Sequence, residues 1–246
     1  MVRYFIGFDD TDILEADRGT GKLARWFACS LPEGFRSLGV LRQQLLVDPR
    51  IPYTSHNSAA CVVAESEDPE SVPLLVEAAV GHLATHFLEG SDPGLCVASE
   101  VADWACLEDF GRRAAGEVLS QKAAREAARG VHLSAHGGTG DGIIGALAAV
   151  GLTHRGWTGR YVEFGGLREI PQEVSVGELA ARGIRVAPLD RDATVPREAD
   201  RVLHEGWLRP RLLGGVPVLP VTPEGPGCWR FADPRRRAPD GGKAQG

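Results

Sequence analysis

The chain has 246 residues, enough for one large domain or two small ones around a proper hydrophobic core. It is 43% hydrophobic and 24% charged with a formal net charge of −6, which excludes a protein that coats nucleic acid through general positive charge, though not a local basic patch. No stretch approaches the roughly 18 apolar residues of a membrane span, and the start shows no basic segment leading into an apolar run. The cysteines Cys29, Cys61, Cys96, Cys106 and Cys228 never form Cys-x-x-Cys, so reduced thiols in a cytoplasmic protein are expected, without a structural zinc site.

Residues 2–8 are mostly apolar or aromatic and predict a buried strand. Asp9, Asp10 and Asp12 follow at once, with Thr11 among them. Carboxylates this close repel one another unless a cation neutralises them, and Mg²⁺ takes hard oxygen ligands, usually one or two carboxylates plus phosphates. At a strand end, where side chains converge on ligands, the cluster reads as a metal–phosphate site with Asp9, Asp10 and Asp12 as ligands. A plain polar turn, with Asp12 or Thr11 capping the next segment, is the alternative. On extended backbone Asp10 and Asp12 would share one face and Asp9 would lie on the other.

Arg18, Gly19, Thr20, Gly21 and Lys22 then predict a loop running into a helix that ends at Ala28. Strands are predicted at 39–47 and 59–65, separated by a polar turn that holds His56 and Asn57. Leu75, Ala79, Leu83 and Phe87 form one stripe of a helix over 72–88, which Ser91-Asp92-Pro93-Gly94 breaks. The stretch 109–129 predicts one helix whose paired charges form a solvated face.

Residues 136–145 hold five glycines and feed an apolar helix over 143–150. Glycine lets backbone approach a ligand closely and the amides of a helix start favour an anion, so Gly138, Gly140, Asp141 and Gly142 are candidates for a phosphate cradle. A tight turn with close helix packing is the alternative. Familiar phosphate motifs fit poorly. Gly140-x-Gly142-x-x-Gly145 follows a poor buried strand at 130–134, and Gly21-Lys22 lacks the other Walker A residues. Asp10-Thr11-Asp12 mimics the nucleophile loop of haloacid-dehalogenase-type phosphatases without that family's late acidic pair. Short strands are predicted at 160–164, 184–187 and 216–221, and a disordered tail at 233–246 that contains Arg235-Arg236-Arg237.

Taken in order, these blocks resemble the archaeal tRNA-isoleucine agmatidine synthetases, which join agmatine to a wobble cytidine. The resemblance is carried by Ile6-Gly7-Phe8-Asp9-Asp10-Thr11-Asp12, Gly19-Thr20-Gly21-Lys22-Leu23-Ala24, Ile51-Pro52-Tyr53-Thr54-Ser55-His56-Asn57, Ser91-Asp92-Pro93-Gly94 and the glycine loop with its helix over 140–151. It implies an ATP-using catalytic module with Mg²⁺ on the acidic turn. Thr20 falls on the family's phosphate-accepting threonine, with Asp10 and Lys22 as further catalytic residues. Gly19, Gly21, Asn57, Gly138, Gly140, Asp141 and Gly142 would bind the nucleotide, with Arg18 and His56 beside them.

The implied fold is α+β, a ferredoxin-like, two-lobed mixed sheet with a small strand-rich C-terminal part. Its expected divisions are an N-terminal lobe at 1–92, a helical lobe at 93–168, a cap at 169–232 and the tail at 233–246. The implied activity is phosphoryl transfer or ATP-driven amine ligation. The family's oligonucleotide-binding barrel and zinc ribbon are expected to be absent. The acceptor is then a small molecule or nucleotide, or tRNA as the resemblance itself implies, with a partner protein or a homodimer as further options. A metal-dependent phosphohydrolase and a non-catalytic nucleotide sensor are the rival readings.

Overall fold

The computed structural model describes residues 1–51, 57–190 and 194–232; His56 with the turn around it, and the tail with Arg235-Arg236-Arg237, lie outside the described residues. In chain order the elements are β1 (Val2–Asp9), α1 (Thr20–Cys29), β2 (Arg36–Gln44), β3 (Ser58–Ser66), α2 (Val72–His86), β4 (Gly94–Ser99), α3 (Trp104–Ala114), α4 (Gln121–Ala127), β5 (His132–Ala135), α5 (Gly142–Arg155) and β6 (Arg160–Glu163). They continue as β7 (Glu173–Ser175), α6 (Val176–Ala181), β8 (Arg185–Pro188), β9 (Arg201–Leu203), β10 (Arg211–Leu213), β11 (Val216–Gly225) and β12 (Cys228–Phe231). The chain divides into two compact units, Met1–Gly165 with Leu212–Gly215, and Gly166–Arg211 with Val216–Gly246. The fold is α+β, with mostly antiparallel strands. No helix among the described residues is long and apolar enough to cross a membrane.

In the first unit the strands run β5-β4-β1-β3-β2-β6, with β10 beyond β6. Successive side chains of a strand point to opposite faces, so β1 serves two cores. Tyr4, Ile6 and Phe8 pack with Leu23, Ala24 and Phe27 of α1 and with Leu75, Ala79 and Leu83 of α2. Phe5, on the other face, joins Leu107 and Phe110 of α3 and the small residues of α5. The helix α5 lies unusually close to the sheet: a Cβ on Gly7 would sit 2.1 Å from the Ala146 carbonyl oxygen. That approach is open only to glycine.

One expectation needs correction. The single helix over 109–129 is two helices. Asp103 caps α3, accepting from the Cys106 amide at 3.5 Å, and Ser120 caps α4, accepting from the Ala123 amide at 3.3 Å. A side-chain acceptor at each start satisfies an otherwise orphaned amide and restarts the helix. Strand β4 is buried along its whole length between β1 and β5. The weak stretch at 130–134 supplies the sheet's edge strand β5, whose residues are half-buried or exposed.

The second unit is a small mixed sheet in which β11 pairs antiparallel with β12, β12 pairs parallel with β9, and β9 pairs antiparallel with β7; β8 lies parallel to β11. Val174, Leu179, Ile184, Val202, Leu219 and Trp229 are among its buried residues. A capping box between Ser175 and Glu178 starts α6.

Candidate functional site

The carboxyl ends of β1 and β2, the amino ends of β3, β4 and β6, and the starts of α1 and α5 lie at one end of the first unit's sheet. Asp9 is the last residue of β1. The chain then turns through Asp10, whose φ of 50° is left-handed, a conformation that Asp tolerates better than most residues. The turn is fastened from the far side. The Asp92 amide donates to the Asp10 carbonyl, and the Leu88 amide to the Thr11 carbonyl, each at 3.1 Å.

Thr11 and Thr20 are both buried. The Thr11 hydroxyl donates to Thr20 Oγ1 at 3.1 Å, and the Thr11 amide approaches the same oxygen at 3.4 Å. The hydroxyl at the start of α1 is thus held by the acidic turn. Gly19 caps α1 with no side chain, and a Cβ there would lie 3.2 Å from Asp12 Oδ2. Since α1 carries no acid in its own first turn, Asp12 is the negative charge set against the positive end of its dipole.

Asp9 lies on the α5 face of the sheet, and its carboxylate fills the space that a side chain at Gly145 would need: a Cβ there would be 1.7 Å from Asp9 Oδ2. Burial, and then the charge of Asp10, push the Asp9 carboxyl up to about 8, with Asp12 and Asp92 adding to the effect. Burial, then Asp92 and Asp12, push Asp10 up to about 6, with Asp141 contributing. Asp9, Asp10, Asp12, Asp92 and Asp141 therefore form one mutually repelling set.

The glycine loop is occupied in a way the sequence does not suggest. Asp92 accepts from the amides of Thr139 and Asp141 at 3.0 Å and of Gly140 at 2.7 Å, and from the Thr139 hydroxyl at 2.5 Å. The amide of Gly140, expected to meet phosphate, is engaged by a carboxylate of the chain itself. Gly138, with φ of 53°, and Gly142 serve that docking: a Cβ at 138 would sit 2.8 Å from Asp92 Cγ, and one at 142 would sit 2.0 Å from the Asp92 carbonyl oxygen. Gln121 of α4 completes the arrangement by donating to the Thr139 carbonyl at 2.9 Å and to Asp141 Oδ1 at 2.7 Å.

The remaining candidates are turned to other partners. Lys22 Nζ lies 5.2 Å from the Trp26 ring centre, and Arg18 Cζ lies 5.9 Å from it. Arg18 also reaches the His86 carbonyl at 3.4 Å. Asn57 Nδ2 donates to the Leu46 carbonyl at 2.6 Å, which fastens the segment between β2 and β3. Gly21 has open space where a side chain would go. The structure thus gathers Asp9, Asp10, Asp12, Gly19, Thr20 and Asp141.

It also adds two residues that sequence reasoning missed. Asp92 was visible only as part of a turn. Arg42 on β2 donates from Nε to Ser58 Oγ at 2.7 Å; burial and then Arg160 lower its proton affinity, while Asp12 raises it.

Among the described residues, no group of three or more His, Cys, Asp or Glu side chains is arranged to hold a metal ion by itself. Mg²⁺ does not need such a cage, because it keeps waters and shares its shell with phosphate. Hard oxygen donors whose ionisation is opposed by burial and then by their neighbours fit that ion.

No protein-family model matches the chain, and no curated protein matches it either. Solved structures do. A tRNA fluorescent labeling enzyme is 29% identical over 61% of this chain and 36% of its own, with a TM-score of 0.52. A complex of TiaS with tRNA and ATP is 28% identical over 65% of this chain and 38% of its own, with a TM-score of 0.55. A complex of TiaS with tRNA, AMPCPP and agmatine is 26% identical over 74% of this chain and 44% of its own, with a TM-score of 0.53. The chain therefore spans 36 to 44% of the length of these proteins. Its fold is TiaS-like.

Proposed function

We propose that this chain is an ATP-using transferase or ligase that phosphorylates an acceptor or activates it for attack by an amine. The observation that carries the reading is the Thr20 hydroxyl, buried and held at 3.1 Å by Thr11 of the acidic turn, in a TiaS-like fold. Asp10 and Asp12 would hold Mg²⁺ together with the phosphates, Asp9 would stand behind them, and the ion would offset the charge that develops during phosphoryl transfer.

The chain's own residues supply positioning. Thr11 orients Thr20 Oγ1, and α1 directs its positive end at the same region. In this reading Thr20 Oγ1 forms a bond to the γ-phosphorus, the bond from that phosphorus to ADP breaks, and the hydroxyl proton passes to the carboxylate cluster. Lys22 and Asn57 would join only by leaving the partners described above.

The TiaS complexes were determined with tRNA and with ATP or an ATP analogue, which supports tRNA as the acceptor. The net charge of −6 favours a nucleotide or small-molecule acceptor, or help from a partner that supplies the positive surface.

Incubation with Mg²⁺ and ATP followed by intact-mass measurement tests the Thr20 role. One phosphoryl group on the wild type and none on Thr20→Ala is the expected result. ATP turnover by Thr20→Ala at the wild-type rate would remove Thr20 from the mechanism. Simple phosphate esters turned over without ATP would favour a phosphohydrolase.

A further inference from the structure

The edge strand β5 carries a row of polar side chains on one face. Successive residues of a strand point to opposite sides, so His132 and Ser134 share a face and Leu133 takes the other. The ladder with β4 fixes which face this is. His132 pairs with Val97 and Ser134 with Leu95, both of the core under α1 and α2, while Leu133 pairs with Cys96 of the core under α5. The His136 amide donates to the Pro93 carbonyl at 2.8 Å and carries the alternation one residue past the strand.

Imidazoles four residues apart on a strand start about 13 Å apart at Cα and do not meet by default. Here both lean inward. His132 Nε2 lies 2.8 Å from Ser134 Oγ, and His136 Nε2 lies 2.7 Å from the same oxygen. Two nitrogens and one oxygen therefore converge on one point beside the outermost strand of the sheet. All three residues are half-buried, so the cluster is sheltered yet reachable from solvent. Burial lowers the proton affinity of both imidazoles, with His136 adding to the effect on His132, and this favours the neutral rings that bind metal ions.

The separations select the ion. An ion about 2.1 Å from all three donors would see neighbouring donors about 80° apart, given their spacings of 2.7 and 2.8 Å. That angle belongs to square or tetragonal coordination rather than to tetrahedral zinc, and nitrogen with oxygen in such a geometry suits Cu²⁺ or Ni²⁺. The two nitrogens are at most about 5.5 Å apart, and opposite positions on such an ion are about 4.2 Å apart. Each ring closes that gap by moving less than about 1 Å.

We propose that His132, Ser134 and His136 form a binding site for a divalent transition-metal ion of the copper and nickel type. The imidazoles are its principal ligands, the hydroxyl is a weak third, and water fills the remaining positions. It is an open site on two ring nitrogens, not a cage of three or more His, Cys, Asp or Glu side chains. The glycine loop begins at the residue after His136, so the ion anchors the strand that leads into that loop. The proposal is independent of the ATP reading, because hard carboxylates and Mg²⁺ do not compete for imidazole nitrogen.

Calorimetric titration with Ni²⁺ in excess Mg²⁺ tests it, on the wild type and on His132→Gln, His136→Gln and His86→Gln. Ni²⁺ does not oxidise the exposed thiols of Cys29 and Cys106, and Mg²⁺ competes at the carboxylates. His82 and His86 are the control pair: their rings are 4.4 Å apart, but His82 Nε2 is engaged by the Leu23 carbonyl at 3.0 Å. The wild type is expected to bind one Ni²⁺, each β5 variant to bind it at least tenfold more weakly, and His86→Gln to match the wild type. Replacing a half-buried histidine also disturbs packing, so the wild type is in addition modified with diethyl pyrocarbonate and mapped by mass spectrometry. Ni²⁺ should protect His132 and His136 and leave His86 as reactive as before.

No Ni²⁺ binding by the wild type, or affinity unchanged in both β5 variants, would overturn the site and leave the ATP reading in place. Binding lost in His86→Gln alone would assign the ion to the other pair, against the proposal. Weaker binding by the β5 variants without protection of His132 and His136 in the wild type would reduce these residues to a packing role and overturn it too.

Discussion

The acidic turn at 9–12 and the glycine loop at 137–142 have equal claims on a ligand in the sequence, and the structure treats them in opposite ways. The loop is satisfied from within: one carboxylate, Asp92, takes three of its amides and a hydroxyl. In the turn, burial and then the crowding of the carboxylates drive Asp9 and Asp10 up to about 8 and about 6. A glycine-rich anion nest can be internal architecture, and a cluster of carboxylates whose proton affinity is raised by burial and by one another is the better mark of where a ligand belongs. Asp92 links the two regions, since it closes the loop and adds its charge to the turn.

The largest effect should come from breaking that link. Asp92→Ala strands three amides and a hydroxyl and is expected to cost about 3 kcal/mol in chemical denaturation, given the strength of hydrogen bonds to charged groups. A loss under about 0.5 kcal/mol would mean that water replaces the carboxylate freely.

Next in size is Gly145→Ala, which presses a Cβ onto the Asp9 carboxylate. Overpacking of this kind costs about 1–3 kcal/mol. It should also weaken Mg²⁺-ATP binding, whereas an effect on stability alone would separate Asp9 from the site.

A third test reads the turn's unbalanced charge through pH. A carboxyl whose folded pKa is raised binds protons more tightly when folded, so its ionisation opposes folding. With a chelator present, the melting temperature should therefore fall as pH rises from about 5 to about 8, through the folded values of Asp10 and then Asp9. Asp9→Asn should flatten the upper part of that decline, and Mg²⁺ with ATP should offset it. His82, His132 and His136, whose burial lowers their proton affinity, act in the opposite sense below about 6.5, so a wild-type decline no steeper than that of Asp9→Asn would contradict the repulsive cluster.

The smallest change expected is from Gly21→Ala. Nothing lies within 4 Å of the added Cβ, and replacing a helical glycine gains up to about 1 kcal/mol. Unaltered ATP affinity would confine Gly21 to helix geometry, and a tenfold loss would return it to the nucleotide site.

What the sequence made legible was local. The apolar run of β1, the stripe of Leu75, Ala79 and Leu83 on α2 and the small apolar helix α5 are written in spacing that the structure keeps. The α+β class and the TiaS-like fold agree with the resemblance carried by the spaced blocks. The misreadings arose where a short-range signal was diluted. Ser120 restarts a helix inside a run of helix formers, and β4 mixes small residues with Leu95 and Val97.

What stayed hidden depends on distant pairing. Asp92 meets Thr139 across 47 positions of chain, and Arg42 meets Arg160 only because β6 adds to β2 in one register. Neither relation has a period or a motif. Each follows from how the sheet is assembled.

The central claim is most directly tested by the melting temperature of the purified protein titrated with ATP and Mg²⁺, separately and together, beside Asp10→Asn. A ligand at 100-fold its dissociation constant stabilises by about 2.7 kcal/mol, which a melting curve resolves. A shift that needs both components and vanishes in Asp10→Asn is the predicted result. No shift with any nucleotide, or one indifferent to Mg²⁺ and to Asp10, would contradict a metal–nucleotide site at the acidic turn.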